Sequence, residues 1–281
     1  MTTTAGSGET ALAQVFATAR EQNRAALIGY LPAGFPSVDG AADAMTAMVD
    51  AGADLVEVGL PYSDPLMDGP VIQQAVDAAL RRGTTTTDVL RTVETLAGRG
   101  VSAVVMSYWN PVERYGCAAF ARDLASAGGA GVITPDLIPD EAGDWLDAAR
   151  AADLGTVFLV APSSTDDRLA LTAQACTGFV YAASTMGVTG ARDQVGGAAR
   201  ALVARTRSVT HLPIGVGLGV STADQAAEVA AFADGVIVGS ALVRRLLDAD
   251  PAADPGADSG AEGRRALSRL TAELAEGVRR R

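Results

Sequence analysis

The sequence predicts an α/β protein: a single closed (β/α)8 barrel of the TIM type with an extra helix at its N-terminus. Three observations carry this. Eight short apolar runs alternate with segments of helical period, and no two of the runs are consecutive strands. The runs are apolar on both alternating faces, as parallel strands are when helices cover a sheet on each side. The 281 residues, 48% hydrophobic, suit a barrel of about 250 residues built as one domain. A doubly wound open sheet shares the alternation and is the alternative.

Residues 1–7 are small and polar and read as a disordered tail, leaving 8–281 as the barrel domain. Leu12, Val15, Phe16 and Ala19 then form the stripe of a first helix. A strand from Ala25 to Tyr30 ends in Leu-Pro-Ala-Gly-Phe-Pro, and Ser37 can cap the helix carrying Val38, Ala42, Met45 and Val49. The strand starting at Leu55 stops at Gly59 and Pro61, and Pro70 suits the first turn of the next helix. Thr84 to Gly98 reads as a helix, Ala103 to Ser107 as a strand, and Tyr-Trp-Asn-Pro as a turn or a ligand-contacting loop. A helix near Ala118 to Ala127, the strand Gly-Val-Ile-Thr-Pro, and a helix capped by Asp140 follow. Then come a strand at Gly155 to Val160, a helix at Asp166 to Ala175, and a strand at Gly178 to Ala183. Gly197 to Thr206 is helical, Pro-Ile-Gly-Val-Gly-Leu-Gly is the seventh strand, and a helix from Ser221 to Ala231 leads to Gly-Val-Ile-Val. Residues 248–262, rich in Asp, Ala, Pro and Gly, read as a flexible insertion before a last helix with Leu267, Leu270 and Leu274 on one stripe.

Composition excludes several chemistries. A net charge of −11 argues against nucleic acid, and no apolar run is long enough to span a membrane. There is no secretion signal, so a cytoplasmic location is expected, with Cys117 and Cys176 as free thiols. All 22 basic residues are arginine, which removes Schiff-base and P-loop lysine chemistry from this chain. His211 is the only histidine, so a His-rich metal site is impossible and no metal is expected. Acid–base work falls to carboxylates, with tyrosine as a helper.

Two carboxylates stand out. Glu57 shares a strand face with Leu55 and Gly59, where a charge is costly unless it is paired or used. Asp68 follows in the loop Pro-Tyr-Ser-Asp-Pro-Leu-Met-Asp-Gly-Pro. One at a strand's C-terminal end and one on the loop after it, they suggest an acid/base pair, although loop aspartates such as Asp68 are common. In a barrel, strand C-termini share one mouth, which would gather Glu57, Tyr108, Asp136 and Tyr181. Tyr181 reads equally well as a core aromatic, and Asp64 as a turn cap. Three glycine clusters close the last strands: 187–191, 215–221 and 238–242. Bare amides at such loops, and at a helix starting near Gly239-Ser240, bind phosphate without lysine.

The stretch Leu-Val-Glu-Val-Gly-Leu-Pro-Tyr-Ser-Asp-Pro-Leu-Met-Asp-Gly-Pro, with Met-Ser-Tyr-Trp-Asn-Pro at 106–111, Pro-Asp-Leu-Ile-Pro-Asp-Glu at 135–141 and the glycine clusters, resembles the tryptophan synthase alpha chain family from about Leu12 to Leu246. The resemblance implies a lyase that cleaves indole-3-glycerol phosphate to indole and glyceraldehyde 3-phosphate. Indole would pass to a beta chain holding pyridoxal phosphate, within an αββα heterotetramer; the alpha chain itself carries no cofactor. By the resemblance, Glu57 protonates indole C3 and Asp68 accepts the indole N–H. A Glu with a raised pKa and an ionised Asp suit those roles. Tyr181, Tyr30, Met106, Ile133, Val160 and Thr189 would contact substrate, and Gly190, Gly219, Gly239 and Ser240 the phosphate. Asp64 and Thr189 would belong to a closing cover, and 62–70 with 108–114 would face the beta chain. A stand-alone lyase and a non-catalytic activator of a beta chain are the other readings.

Overall fold

A computed structural model describes residues 8–184, 192–249 and 259–280. Eight parallel strands close into a barrel in sequence order: β1 (Ala26–Pro32), β2 (Leu55–Gly59), β3 (Ala103–Met106), β4 (Gly131–Thr134), β5 (Gly155–Val160), β6 (Val180–Ala183), β7 (Ile214–Gly217) and β8 (Gly235–Val238). The seam is real pairing. β8 lies beside β1 with Ala26 opposite Gly235 and Gly29 opposite Val238. The open-sheet alternative is thereby excluded.

The surrounding helices are α1 (Gly8–Glu21), α2 (Val38–Asp50), α3 (Pro70–Arg81), α4 (Thr86–Gly98), α5 (Trp109–Tyr115), α6 (Cys117–Ser126), α7 (Gly143–Ala151), α8 (Asp166–Ala175), α9 (Arg192–Arg207), α10 (Ala223–Ala230), α11 (Ser240–Leu247) and α12 (Ser259–Val278). Local chemistry sets their starts. The Ser37 side chain accepts from the Gly40 amide, Thr85 and Asp88 form a reciprocal capping box, and Pro70 opens α3.

Period-2 alternation splits the core in two. Ala26, Ile28, Leu55, Val104, Ile133, Val157, Phe179 and Ile237 fill the barrel interior. Their neighbours, such as Val56, Val58, Val105, Val132 and Val160, pack outward in the larger cluster shared with the helices. The extra N-terminal helix closes the bottom: Leu12, Phe16 and Ala19 belong to the interior cluster. The Leu12 side chain occupies the space that a Cβ on Gly155 or Gly178 would take. Beside this plug, Arg24 grips Asp54 through two bonds of 2.6 and 2.7 Å, and Asp54 also accepts from the Leu27 amide at 2.8 Å. That lock ties the start of β1 to the residue before β2.

Several sequence expectations need correcting. Tyr-Trp-Asn-Pro is no plain turn, because Trp109 starts α5 with Pro111 in its first turn, where a missing N–H costs nothing. Asp140 does not cap α7. It sits in a 3₁₀ turn over Pro139–Glu141 and pairs with Arg168 at 2.6 Å, so α7 begins only at Gly143. Helix α9 starts at Arg192 rather than near Gly197. Residues 259–262, expected to belong to the insertion, are the first turn of α12; residues 250–258 and the tail 1–7 lie outside the described residues.

Leu12→Ala should cost about 2–5 kcal/mol, because the plug leaves a void against two glycines that cannot fill it. Urea unfolding checks this; the expected result is a lower midpoint at unchanged slope.

Candidate active site

All eight strands point their C-terminal ends to one mouth, and a cavity of about 560 Å³ opens there. Glu57 lies at its floor, 1% exposed, and neither carboxylate oxygen has a hydrogen-bond partner among the described residues. Its neighbours explain the position. Leu55 lies below it inside the barrel, and Tyr30 stands opposite it in the β1–β2 register. Desolvation alone lifts the Glu57 carboxyl from its ordinary 4.5 to about 8. At neutral pH it therefore carries a proton.

Two glycines make room for the aromatic walls. The Tyr30 ring lies where a side chain at Gly59 would stand, and the Tyr181 ring does the same over Gly217. Both phenols are held well above their ordinary acidity by burial, with Glu57 adding to each. They stay neutral and can donate.

Asp68 enters from the β2–α3 loop and is half-buried on the cavity wall. Burial pushes its carboxyl up, and a hydrogen bond from the Tyr108 hydroxyl pulls it back. The loop carrying it is anchored on one side by the Met67 amide, which donates to the Tyr108 oxygen at 2.9 Å. On the other side, the Gln73 side chain donates to the Asp68 carbonyl at 2.8 Å. Asp136 accepts from the Trp109 amide at 2.8 Å and so fastens the start of α5, rather than facing the cavity as its place at the mouth suggested.

After the ends of β7 and β8, Gly219, Gly239 and Ser240 line the same cavity. Ser240 is the first residue of α11, whose N-terminal amides and dipole favour an anion. Gly219 has a φ of +67°, a conformation glycine adopts without steric cost. Thus two of the three glycine clusters converge; the third lies outside the described residues, with Thr189 and Gly190.

Among the other predicted substrate contacts, Tyr30, Met106 and Tyr181 line the cavity. Val160 does not. It points outward into the helix-packed core, and Leu159, one residue earlier, takes the wall instead. A one-residue shift on a strand always exchanges the faces. Ile133 faces the barrel interior but packs within the inner cluster, apart from the cavity lining. Asp64 is exposed on the rim, bonded to the Ser63 hydroxyl at 2.6 Å. Ile72 on α3 and Ile237 on β8, which the sequence reading passed over, also line the cavity. Ile237 was findable, since it shares its face with the interior residues of β8. Among the described residues, no group of three or more His, Cys, Asp or Glu could hold a metal ion.

The family model described as tryptophan synthase alpha chain matches residues 16–270. A chain of that description from Nocardia farcinica is 58% identical over 273 residues, covering 97% of each chain. One from Salinispora arenicola is 61% identical over 264 residues, covering 94% of this chain and 96% of its own. A structure of Mycobacterium tuberculosis tryptophan synthase superimposes with a TM-score of 0.86 at 57% identity, covering 95% of this chain and 98% of that one. The alpha subunit from Legionella pneumophila reaches 0.82 at 29% identity, with 95% and 98% covered.

The buried acid predicts a pH-dependent stability. The folded chain holds the Glu57 proton up to about pH 8, the unfolded chain only to about 4.5. Between those values the folded state binds more protons, so the Glu57 contribution to stability declines as pH rises. Glu57→Gln removes the ionisation. It should have little effect near pH 5 and stabilise by on the order of a few kcal/mol at pH 8.5. Thermal unfolding at the two pH values measures the difference.

Proposed function

The chain belongs to the tryptophan synthase alpha chain family, and from that premise we propose that Glu57 and Asp68 perform the cleavage of indole-3-glycerol phosphate in the cavity described above. The observation that carries this assignment is the unpartnered, protonated Glu57 at the floor of a largely apolar cavity. A carboxyl kept neutral to about pH 8 is a proton donor waiting for an acceptor.

Substrate phosphate would rest on the amides at Gly219, Gly239 and Ser240, placing the ring system near Met106, Leu159 and Tyr181. Glu57 gives its proton to indole C3, and the ring nitrogen becomes the electron sink. Asp68, as carboxylate, accepts the N–H and stabilises the positive charge developing there. The Glu57 carboxylate then takes the proton of the adjacent glycerol hydroxyl. As that O–H electron pair forms the aldehyde, the carbon–carbon bond to C3 breaks and its electrons restore the aromatic indole. Glu57 ends protonated and ready for another turn. No lysine or external acid is needed, which suits a chain without lysine.

The tryptophan synthase assignment brings a beta chain as partner. The face that would meet it is the rim formed by 62–70 and 108–114. Leu66, 76% exposed, and Met67, 51% exposed, lie on that rim and present apolar surface to solvent. Within this proposal the complex is αββα, pyridoxal phosphate belongs to the beta chain, and the enzyme works in the cytoplasm. Among the described residues no helix is long and apolar enough to cross a membrane.

Indole release from indole-3-glycerol phosphate tests the assignment, with and without a cognate beta chain. Glu57→Gln should lower kcat by about 10²–10⁴-fold and Asp68→Asn by a comparable order, with smaller changes in KM. For the wild type, kcat/KM should fall above about pH 8, where Glu57 loses the proton it must donate. High activity without a beta chain would favour a stand-alone lyase. No cleavage under any condition, with beta-chain activity still stimulated, would leave only a non-catalytic activator.

A further inference from the structure

Asp68 sits on an exposed loop between two rim residues, yet its carboxylate must meet a substrate N–H with fixed aim. The loop has no strand or helix around Asp68 to hold it: β2 ends at Gly59 and α3 begins at Pro70. Besides the Gln73 side chain, which donates to the Asp68 carbonyl at 2.8 Å, it is held by one phenol. Tyr108, 6% exposed, occupies the N-cap position of α5, and its own geometry is fixed on both sides. Its ring packs on Tyr62 with centroids 5.5 Å apart, and the Tyr62 hydroxyl accepts from Asn110 at 3.0 Å. The next residue, Trp109, is tied by its amide to Asp136 at 2.8 Å.

From this anchored ring the hydroxyl reaches across 41 residues of sequence to the catalytic loop. Its oxygen accepts from the Met67 amide at 2.9 Å, and its O–H is turned to the Asp68 carboxylate, whose charged form it favours. The phenol thus holds the backbone next to Asp68 and sets a donor against its carboxylate. We propose that Tyr108 is a positioning residue that clamps Asp68 at the cavity wall in its ionised form, so that the carboxylate faces the substrate before substrate arrives. This rests on Asp68 being the group that meets the indole N–H. Tyr108 itself need not touch substrate; among the described residues it is absent from the cavity lining.

A donor to a carboxylate favours its charged form, so removing the hydroxyl moves Asp68 further up in pKa and leaves it free to swing. The other titratable groups around the cavity are Tyr30 on β1, Glu57 on β2 and Tyr181 on β6. The two tyrosines stay neutral throughout the acid range. Glu57 titrates near 8, so it shapes the alkaline limb and leaves the acid limb to Asp68.

The test is Tyr108→Phe, which keeps the ring against Tyr62, compared with wild type and with Tyr62→Phe. Two readouts are taken. The first is the titration of the Asp68 carboxyl by carbon-13 NMR, assigned with Asp68→Asn. The second is the steady-state cleavage of indole-3-glycerol phosphate in the presence of the beta chain, from pH 5 to 9. The expected result for Tyr108→Phe is an Asp68 titration at higher pH than in wild type and an acid limb of kcat/KM moved the same way. At neutral pH kcat should fall roughly tenfold, the worth of one hydrogen bond to a charged group, with KM within about twofold. Tyr62→Phe keeps the clamp and should leave the Asp68 titration in place. An unchanged Asp68 titration in Tyr108→Phe overturns the proposal, whether or not kcat falls. If wild type cleaves no substrate, the lyase assignment fails, while the titration still decides whether Tyr108 clamps Asp68.

Discussion

Closure of the sheet between β8 and β1 is the constraint from which the rest of the molecule follows. Four residue pairs, from Ala26–Gly235 to Gly29–Val238, turn a parallel sheet into a cylinder with no free edge. Once it closes, each strand has one face in a dry interior and one against helices, and every C-terminal end lies around one mouth. The cavity is the upper part of that interior, above the layer packed by Leu55, Val104, Ile133, Val157 and Phe179. At the lower end Leu12 and Phe16 pack into that interior.

That geometry gives two carboxylates of one chain different states. Glu57 is on a strand, in the interior, with no hydrogen-bond partner among the described residues, and burial leaves it protonated to about pH 8. Asp68 is on a loop at the wall, where burial is partial and the Tyr108 hydroxyl opposes it. Burial keeps one protonated, while the other has a donor that favours its charged form. Neither state belongs to the amino acid; both belong to the place. Elsewhere on the cavity wall, α11 begins at Ser240 beside Gly239, and a helix start of this kind favours an anion through its amides in a chain that has no lysine.

Much of this was readable from the chain before folding. Alternation of apolar runs and helical stripes reports burial on both faces, which is a local property, and so fold class, strand order and the extra first helix followed. Glu57 was conspicuous because a lone acid in an apolar strand is expensive wherever the strand ends up. The glycines before α11 were conspicuous for a similar reason, since bare backbone next to a helix start has few other uses.

Contacts between distant segments were not readable. The resemblance points to Val160 as a cavity residue, but Leu159 takes the wall, because the phase of β5 is set by its register against β4 and β6 rather than by its own residues. Asp140 had the look of a helix cap until Arg168, 28 residues on, claimed its carboxylate. Tyr-Trp-Asn-Pro gave no sign that Tyr108 would reach back to Asp68. The sequence by itself determined the barrel, its order and its buried acid, since those depend on pattern and polarity along the chain. Tertiary structure decided which neighbours each group meets, and hence the protonation of Glu57 and the aim of Asp68, because hydrogen bonds and desolvation depend on distances that only the closed barrel sets.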